Sequence, residues 1–152
     1  MMKTNNFTII IDSREQKPYL FPKGTNTTTK KLDAGDYSVA GYEDKITIER
    51  KSKIDAYGTI GKGRKRFIRE LERMEGYDFK AIVIESSMRD FVMEPPYPSK
   101  LNPKSAINSL ISWSIEYGVH ICFVNDREMG MALVYRTLEK YYLKQQNCKG
   151  NK

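Results

Sequence analysis

Lys45-Ile46-Thr47-Ile48-Glu49-Arg50-Lys51 is the stretch whose reading decides the fold. Side chains alternate across a strand with period two, so Ile46 and Ile48 share one face while Thr47, Glu49 and Lys51 share the other. Such a strand has an apolar side for a core and a charged side for chemistry. Further acids surround it. Gly35-Asp36 is separated from Glu49 by twelve residues, and Asp55 follows Lys51 after Ser52-Lys53-Ile54.

These residue types suit one kind of reaction. A phosphodiester is anionic and repels hydroxide, so its hydrolysis needs a positive centre and a source of nucleophile near neutral pH. Aspartate and glutamate oxygens suit Mg2+ or Mn2+, hard cations that keep several waters in an octahedral shell and acidify them. A lysine two residues from a ligating glutamate lies on that glutamate's face, where it can orient the attacking water or stabilise the pentavalent phosphorus.

Each residue also has a plainer reading. Gly35-Asp36 is an ordinary turn pair. Ser52 to Asp55 is a capping box that by itself explains Asp55, and Glu49 with Lys51 can be an exposed ion pair of little energetic weight. Their joint occurrence, with Asp12 closing the apolar run Ile9-Ile10-Ile11, favours a shared site.

Working outward, Phe7 to Asp12 reads as a central strand, short, apolar and rich in isoleucine. Pro18, Pro22 and Gly24 punctuate a loop that runs into the threonine-rich stretch Thr25 to Thr29. Strands follow near Lys30 to Leu32, Tyr37 to Tyr42 and Lys45 to Arg50, the last two joined at Glu43-Asp44 in a hairpin. Arg64 to Glu75 carries Phe67, Leu71 and Met74 at helical spacing and is closed by Gly76. Lys80 to Glu85 is an apolar strand predicted to run parallel to the first. Asn102 caps a helix with Pro103 at its first position, ending after Tyr117 at Gly118. Val119 to Val124 is a further strand, and Asp126 caps a last helix toward Lys144. This order predicts an α/β domain over residues 1–144, a mixed β-sheet flanked by α-helices, followed by a polar tail at 145–152.

Lys62-Gly63-Arg64-Lys65-Arg66 and Arg69 form the densest basic cluster. Amides at a helix start beside guanidinium groups suit backbone phosphates. Glu70, Glu72 and Glu75 partly balance the cluster, which also fits a solvated helix face; its place just after the acidic strand favours DNA contact. Glu94 to Pro103 is too rich in proline for regular structure and reads as a surface connector. Trp113 and Tyr117 share a helix with Ile107, Leu110, Ile111 and Ile115, apolar on more than one face, and the last helix carries Met129, Leu133, Tyr141 and Tyr142. Such helices raise the expectation of a homodimer or a partner subunit.

Composition agrees with one basic domain. The chain has 152 residues, with 26 lysines and arginines against 19 acids and a formal charge of +7. That excess suits a polyanionic partner. No segment is apolar for long enough to span a bilayer, and the start, Met1-Met2-Lys3-Thr4-Asn5-Asn6-Phe7, leads into a run too short for a signal peptide. An intracellular location and no membrane partner are therefore expected. Cys122 in an apolar run and Cys148 in a polar segment argue against a disulfide between them. His120 is the single histidine, which excludes multi-histidine zinc chemistry and reads as a strand residue.

Gly35-Asp36, Glu49-Arg50-Lys51 and Asp55 resemble the GD-Xn-ERK-X3-D signature of the XPF-type structure-specific endonucleases, a branch of the restriction-endonuclease-like nucleases. Ile9 to Glu15, ending in Asp12-Ser13-Arg14-Glu15, is similar to that family's first strand, and the helices after Gly63 and Asn102 extend the likeness over most of the chain. The resemblance implies a restriction-endonuclease-like fold and a Mg2+- or Mn2+-dependent DNA endonuclease acting on branched or flapped duplexes, as in DNA repair or recombination. It implies Asp36 and Glu49 as metal ligands, with Asp12 beside them, and Lys51 as the catalytic lysine. Asp12 and Asp55 would complete the acidic site. Arg14 and Arg50 would contact phosphate or brace the carboxylates, and Lys62, Arg64, Lys65, Arg66 and Arg69 would bind DNA. Where the family commonly has a glutamine, this chain has Glu70, which either adds a carboxylate near the site or sits on the helix surface, the second being the preferred reading. The opposing class is a non-catalytic DNA-binding or scaffolding subunit of a nuclease complex; a restriction-type enzyme reading a short sequence would need base-contacting loops that the sequence does not display.

Overall fold

The computed structural model describes residues 6–150. The first five residues, which bear on a leader, and the last two of the predicted tail lie outside them. The chain forms β1 (Thr8–Asp12), β2 (Asn26–Lys30), β3 (Tyr37–Val39), β4 (Ile46–Ser52), α1 (Lys53–Ile60), α2 (Arg64–Arg73), β5 (Phe79–Glu85), α3 (Met88–Met93), α4 (Pro103–Tyr117), β6 (His120–Val124) and α5 (Arg127–Gly150). Its six-stranded sheet has the order β2-β1-β3-β4-β5-β6. β1 pairs antiparallel with β3 and β3 antiparallel with β4, whereas β2 with β1, β4 with β5 and β5 with β6 pair in parallel. Only β3 therefore runs against the rest, and the α/β mixed sheet is the one expected.

The alternation in β4 sets two apolar layers. Ile46 and Ile48 join Ile9, Tyr37, Val39, Ala81 and Val83 under Val134 and Leu138 of α5. On the opposite face Ile82 and Ile84 of β5 pack with Tyr57 and Ile60 of α1, Phe67 and Leu71 of α2, and Leu110 and Trp113 of α4. Each fully buried Leu, Ile or Phe side chain contributes roughly 1.5–3 kcal/mol of transfer free energy, so both sides of the sheet are held. α5 lies so close that a Cβ on Gly130 would stand 2.4 Å from the Tyr19 hydroxyl.

Local chemistry sets the helix ends. Ser52 Oγ accepts from the Asp55 N–H and opens α1, Asn102 Oδ1 accepts from Lys104 and Ser105 N–H groups to open α4, and Gly118 closes α4 in the left-handed region. Three elements differ from expectation. The strand expected near Lys30 to Leu32 lies earlier, at Asn26–Lys30, because the threonine-rich segment pairs with β1 as an exposed edge. α3 interrupts the stretch after β5, capped by Ser87 accepting from the Asp90 N–H. The tail expected at 145–152 is helical through Gly150, since no breaker stops α5 and Gln146 and Lys149 reach back to the Tyr42 hydroxyl and ring. No helix among the described residues is long and apolar enough to cross a membrane.

Candidate active site

Where β3 begins, the chain is fastened to both neighbouring strands. The Asp12 N–H donates to the Asp36 carbonyl at 2.8 Å, and the Asp36 N–H donates to the Ile48 carbonyl at 2.9 Å. Gly35 adopts φ +78°, and a Cβ there would stand 1.9 Å from Thr47 Oγ1. Only glycine fits such a corner. The Thr47 hydroxyl in turn donates to the Ala34 carbonyl at 2.7 Å. Asp36 Oδ2 then accepts the Arg50 N–H at 2.8 Å, which aims this carboxylate along β4 toward Glu49.

Glu49 and Lys51 stand on the same face of β4, as the period of two demands. Lys51 Nζ lies 3.0 Å from Glu49 Oε1 and 5.5 Å from the centre of the Phe67 ring. Together with Asp12, Arg14, Gly35, Asp36, Ile54, Asp55, Arg66, Glu70 and Arg73, among others, they line a cleft of about 570 Å³. Burial pushes the Asp36 carboxyl up to about 7, partly offset by the Arg50 N–H bond and by Lys51, while Glu15 and Glu70 add to the rise. Glu49 is driven well above its ordinary value by burial and then by the Asp36 charge. Burial would lower the Lys51 ammonium, but Glu49, Asp36 and Glu70 outweigh it and hold the group charged. A cationic donor beside two carboxylates that repel each other's ionisation is a site waiting for positive charge.

Asp12 lines the cleft, yet both its oxygens are committed: Oδ1 accepts the Leu32 N–H at 2.8 Å and Oδ2 accepts Arg14 Nε at 3.0 Å. Burial opposes its ionisation, but Arg14 and the two backbone donors hold its pKa below the ordinary value. The carboxylate braces the β1 end. Arg14 shares that bond and also donates to the Leu32 carbonyl, leaving its exposed head at the rim. Arg50 points away from the cleft. Its guanidinium makes a two-pronged pair with Glu15, at 2.8 and 2.9 Å, and reaches Glu85 at 2.9 Å on the α5 side of the sheet. Only its backbone N–H serves Asp36. The Asp55 N–H donates to the capping Ser52 Oγ at the start of α1, and the residue lines the cleft.

Of the basic cluster, Arg66 lines the cleft, whereas Lys62, Arg64, Lys65 and Arg69 do not. Arg64 docks on α4, with its guanidinium 5.0 Å from the Trp113 ring centre and donating to Ser109 Oγ at 2.7 Å. Two residues that the motif spacing passes over complete the wall. Arg73 enters from the end of α2 and donates to the Asp33 carbonyl, and Glu70, of its two readings, takes the place near the site and accepts the Gly35 N–H at 3.0 Å. The signal was the helical period: Arg66, Glu70 and Arg73 lie four and three residues apart, on one face.

The donor set fits a hard divalent cation. Among the described residues no group of three or more His, Cys, Asp or Glu side chains is arranged to hold a metal. One or two carboxylates, here the buried Glu49 and the half-buried Asp36, are nonetheless what Mg2+ commonly uses, the remaining positions going to water and substrate phosphate. Asp36 and Glu49 would supply those oxygens.

Fold and cleft together define an α/β domain that gathers two carboxylates and an ammonium where the antiparallel β3 meets the parallel strands. The chain belongs to the ERCC4 domain family, whose model matches residues 11–137. Its fold is similar to XPF from Aeropyrum pernix, with a TM-score of 0.70 and 19% identity over 94% of this chain and 69% of that one. A second structure, XPF from Aeropyrum pernix in complex with DNA, matches with a TM-score of 0.66 and 24% identity over 91% of this chain and 66% of that one. The chain thus spans about two thirds of the length of either. The six-stranded mixed sheet with flanking helices is a fold shared with XPF from Aeropyrum pernix. No curated protein matches the chain.

Proposed function

We propose that the chain is a metal-dependent DNA endonuclease acting on branched or flapped duplex DNA. The observation that carries this reading is the convergence of Asp36, Glu49 and Lys51 in one cleft flanked by Arg14, Arg66 and Arg73. Membership of the ERCC4 domain family and the likeness to an XPF that was solved with DNA support it.

Asp36 and Glu49 would hold Mg2+ or Mn2+, which supplies a Lewis acid and an acidified water. Lys51, held charged by its acidic neighbours, acts as a donor to the phosphate oxygens as negative charge develops, and not as a base. Arg66 and Arg73 grip the phosphates on the α2 side, and Arg14 does so from the end of β1. Asp12, Asp55 and the Arg50 backbone keep the walls in register.

Labelled flap, fork, four-way junction and linear duplex, each incubated with Mg2+, Mn2+ or chelator, test the reading. The protein should cut at least one branched substrate, chelator should stop it, and Lys51→Ala and Glu49→Ala should abolish cutting while leaving binding. Binding with no cutting under either metal would give the non-catalytic reading instead.

A further inference from the structure

Glu70 holds the cleft together from the helix side. Three successive hydrogen bonds fix the corner that carries Asp36: Asp12 N–H to the Asp36 carbonyl, Asp36 N–H to the Ile48 carbonyl, and Gly35 N–H to Glu70 Oε1 at 3.0 Å. The first two come from the sheet. The third comes from α2, across the cleft, and reaches the residue whose φ of +78°, and whose place where a Cβ would collide with Thr47, only glycine can take. Gly35 is buried, so its amide has little recourse to water, and Asp36 is the next residue along. Glu70 lines the cleft between Arg66 and Arg73 of α2.

We propose that Glu70 is a positioning residue: its carboxylate ties the Gly35-Asp36 corner to α2 so that Asp36 is pre-set to receive a divalent cation. This rests on the nuclease reading and deepens it. Its contribution is the accepted hydrogen bond and not the charge. A glutamine carbonyl can accept the same N–H from the same length of side chain. Aspartate keeps the charge but is one methylene too short, and alanine keeps neither.

Mn2+ is titrated calorimetrically into wild type, Glu70→Gln, Glu70→Asp and Glu70→Ala, beside cleavage of a branched substrate at saturating metal and DNA and a thermal melt of each. Groups that orient ligands typically carry about 10–100-fold in metal affinity or activity. Glu70→Ala and Glu70→Asp should therefore lose about tenfold or more in Mn2+ affinity and in kcat, with KM for DNA little changed, while Glu70→Gln restores most of both. Should Glu70→Ala fail to fold, the Asp and Gln variants still decide. Glu70→Asp equal to wild type with Glu70→Gln weak would overturn the proposal in favour of charge, and an unimpaired, folded Glu70→Ala would overturn it outright. A wild type that binds Mn2+ but cuts nothing removes the nuclease reading and leaves the order of Mn2+ affinities to judge Glu70. A wild type that does neither sinks both.

Discussion

Arg50 joins the two faces of the sheet to Asp36: its backbone N–H donates to Asp36 Oδ2 at 2.8 Å on the cleft side, while its guanidinium clamps Glu15 and Glu85 on the other. The clamp continues outward, since Glu85 also accepts the Tyr19 hydroxyl at 2.8 Å and Arg127 at the start of α5 stacks on the Tyr19 ring. Removing one partner of a buried ion pair leaves the other uncompensated, a cost of about 3–5 kcal/mol. Arg50→Ala should lose that much in urea unfolding, and Glu15→Gln less. An Arg50→Ala within 1 kcal/mol of wild type would show the clamp to be idle, at about the level of an exposed pair.

Gly35→Ala should be among the most damaging single substitutions. Positive φ alone costs a non-glycine residue roughly 1–2 kcal/mol, and here the new methyl would also meet Thr47 Oγ1. Thr47→Ala should relieve the collision but not the backbone strain, so the double variant should be more stable than the sum of the singles predicts. Strict additivity in thermal unfolding would mean that the two residues do not meet as described.

The metal-free protein should be less stable at pH 8 than at pH 5.5. A carboxyl whose pKa is raised on folding contributes its full stability below the unfolded value and loses it as pH climbs through the folded one. Burial has raised Asp36 to about 7 and Glu49 further above its norm. For Asp36 the loss is at most on the order of 4 kcal/mol. Asp12 and Glu15 act in the other direction: against the pull of burial, Arg14 and Arg50 hold them low, so they withdraw stability only in acid. In chelator the melting temperature should fall from pH 5.5 to 8, and Mn2+ should raise it more at pH 8. A melting temperature that climbs steadily to pH 8 in chelator contradicts this.

The basic residues of α2 should separate by face. Arg66→Ala and Arg73→Ala should each weaken DNA binding and lower the magnitude of the salt slope by about one. Lys65→Ala and Arg69→Ala should do neither. Arg64→Ala should leave the slope alone and cost about 1 kcal/mol of stability through its lost contacts with Trp113 and Ser109. Equal effects from all five on fluorescence-anisotropy titrations would return the whole cluster to a diffuse basic face.

Much of this architecture is legible in the chain because local and global patterns agree. The alternation from Lys45 to Lys51 yields the two-faced strand, and Gly35-Asp36 yields the corner beside it. The same alternation carries the placement of Arg50 on the opposite face, although its neighbours in the motif draw it toward the chemistry. Glu70 and Arg73 need the helical period anchored to Phe67 and Leu71, which tells which side of α2 is inward but not what stands across from it. The Asp12 carboxylate has its Oδ1 taken by the N–H of Leu32, twenty residues away, a contact no spacing announces. β2 is an unbroken polar run at an edge, so it lacks the apolar rhythm that marks a strand.

The short turn from Ala40 to Lys45 acquires a role beyond linking two strands. Adding or deleting a single residue there, with β4 still paired to β5, would offset β3 from β4 by half a pleat and carry the Ala34-Gly35-Asp36 corner away from the Thr47 hydroxyl and the Arg50 amide. Loop length at this point is thus as much a determinant of competence as the identity of any acid, and grafting or circular-permutation designs should leave it untouched.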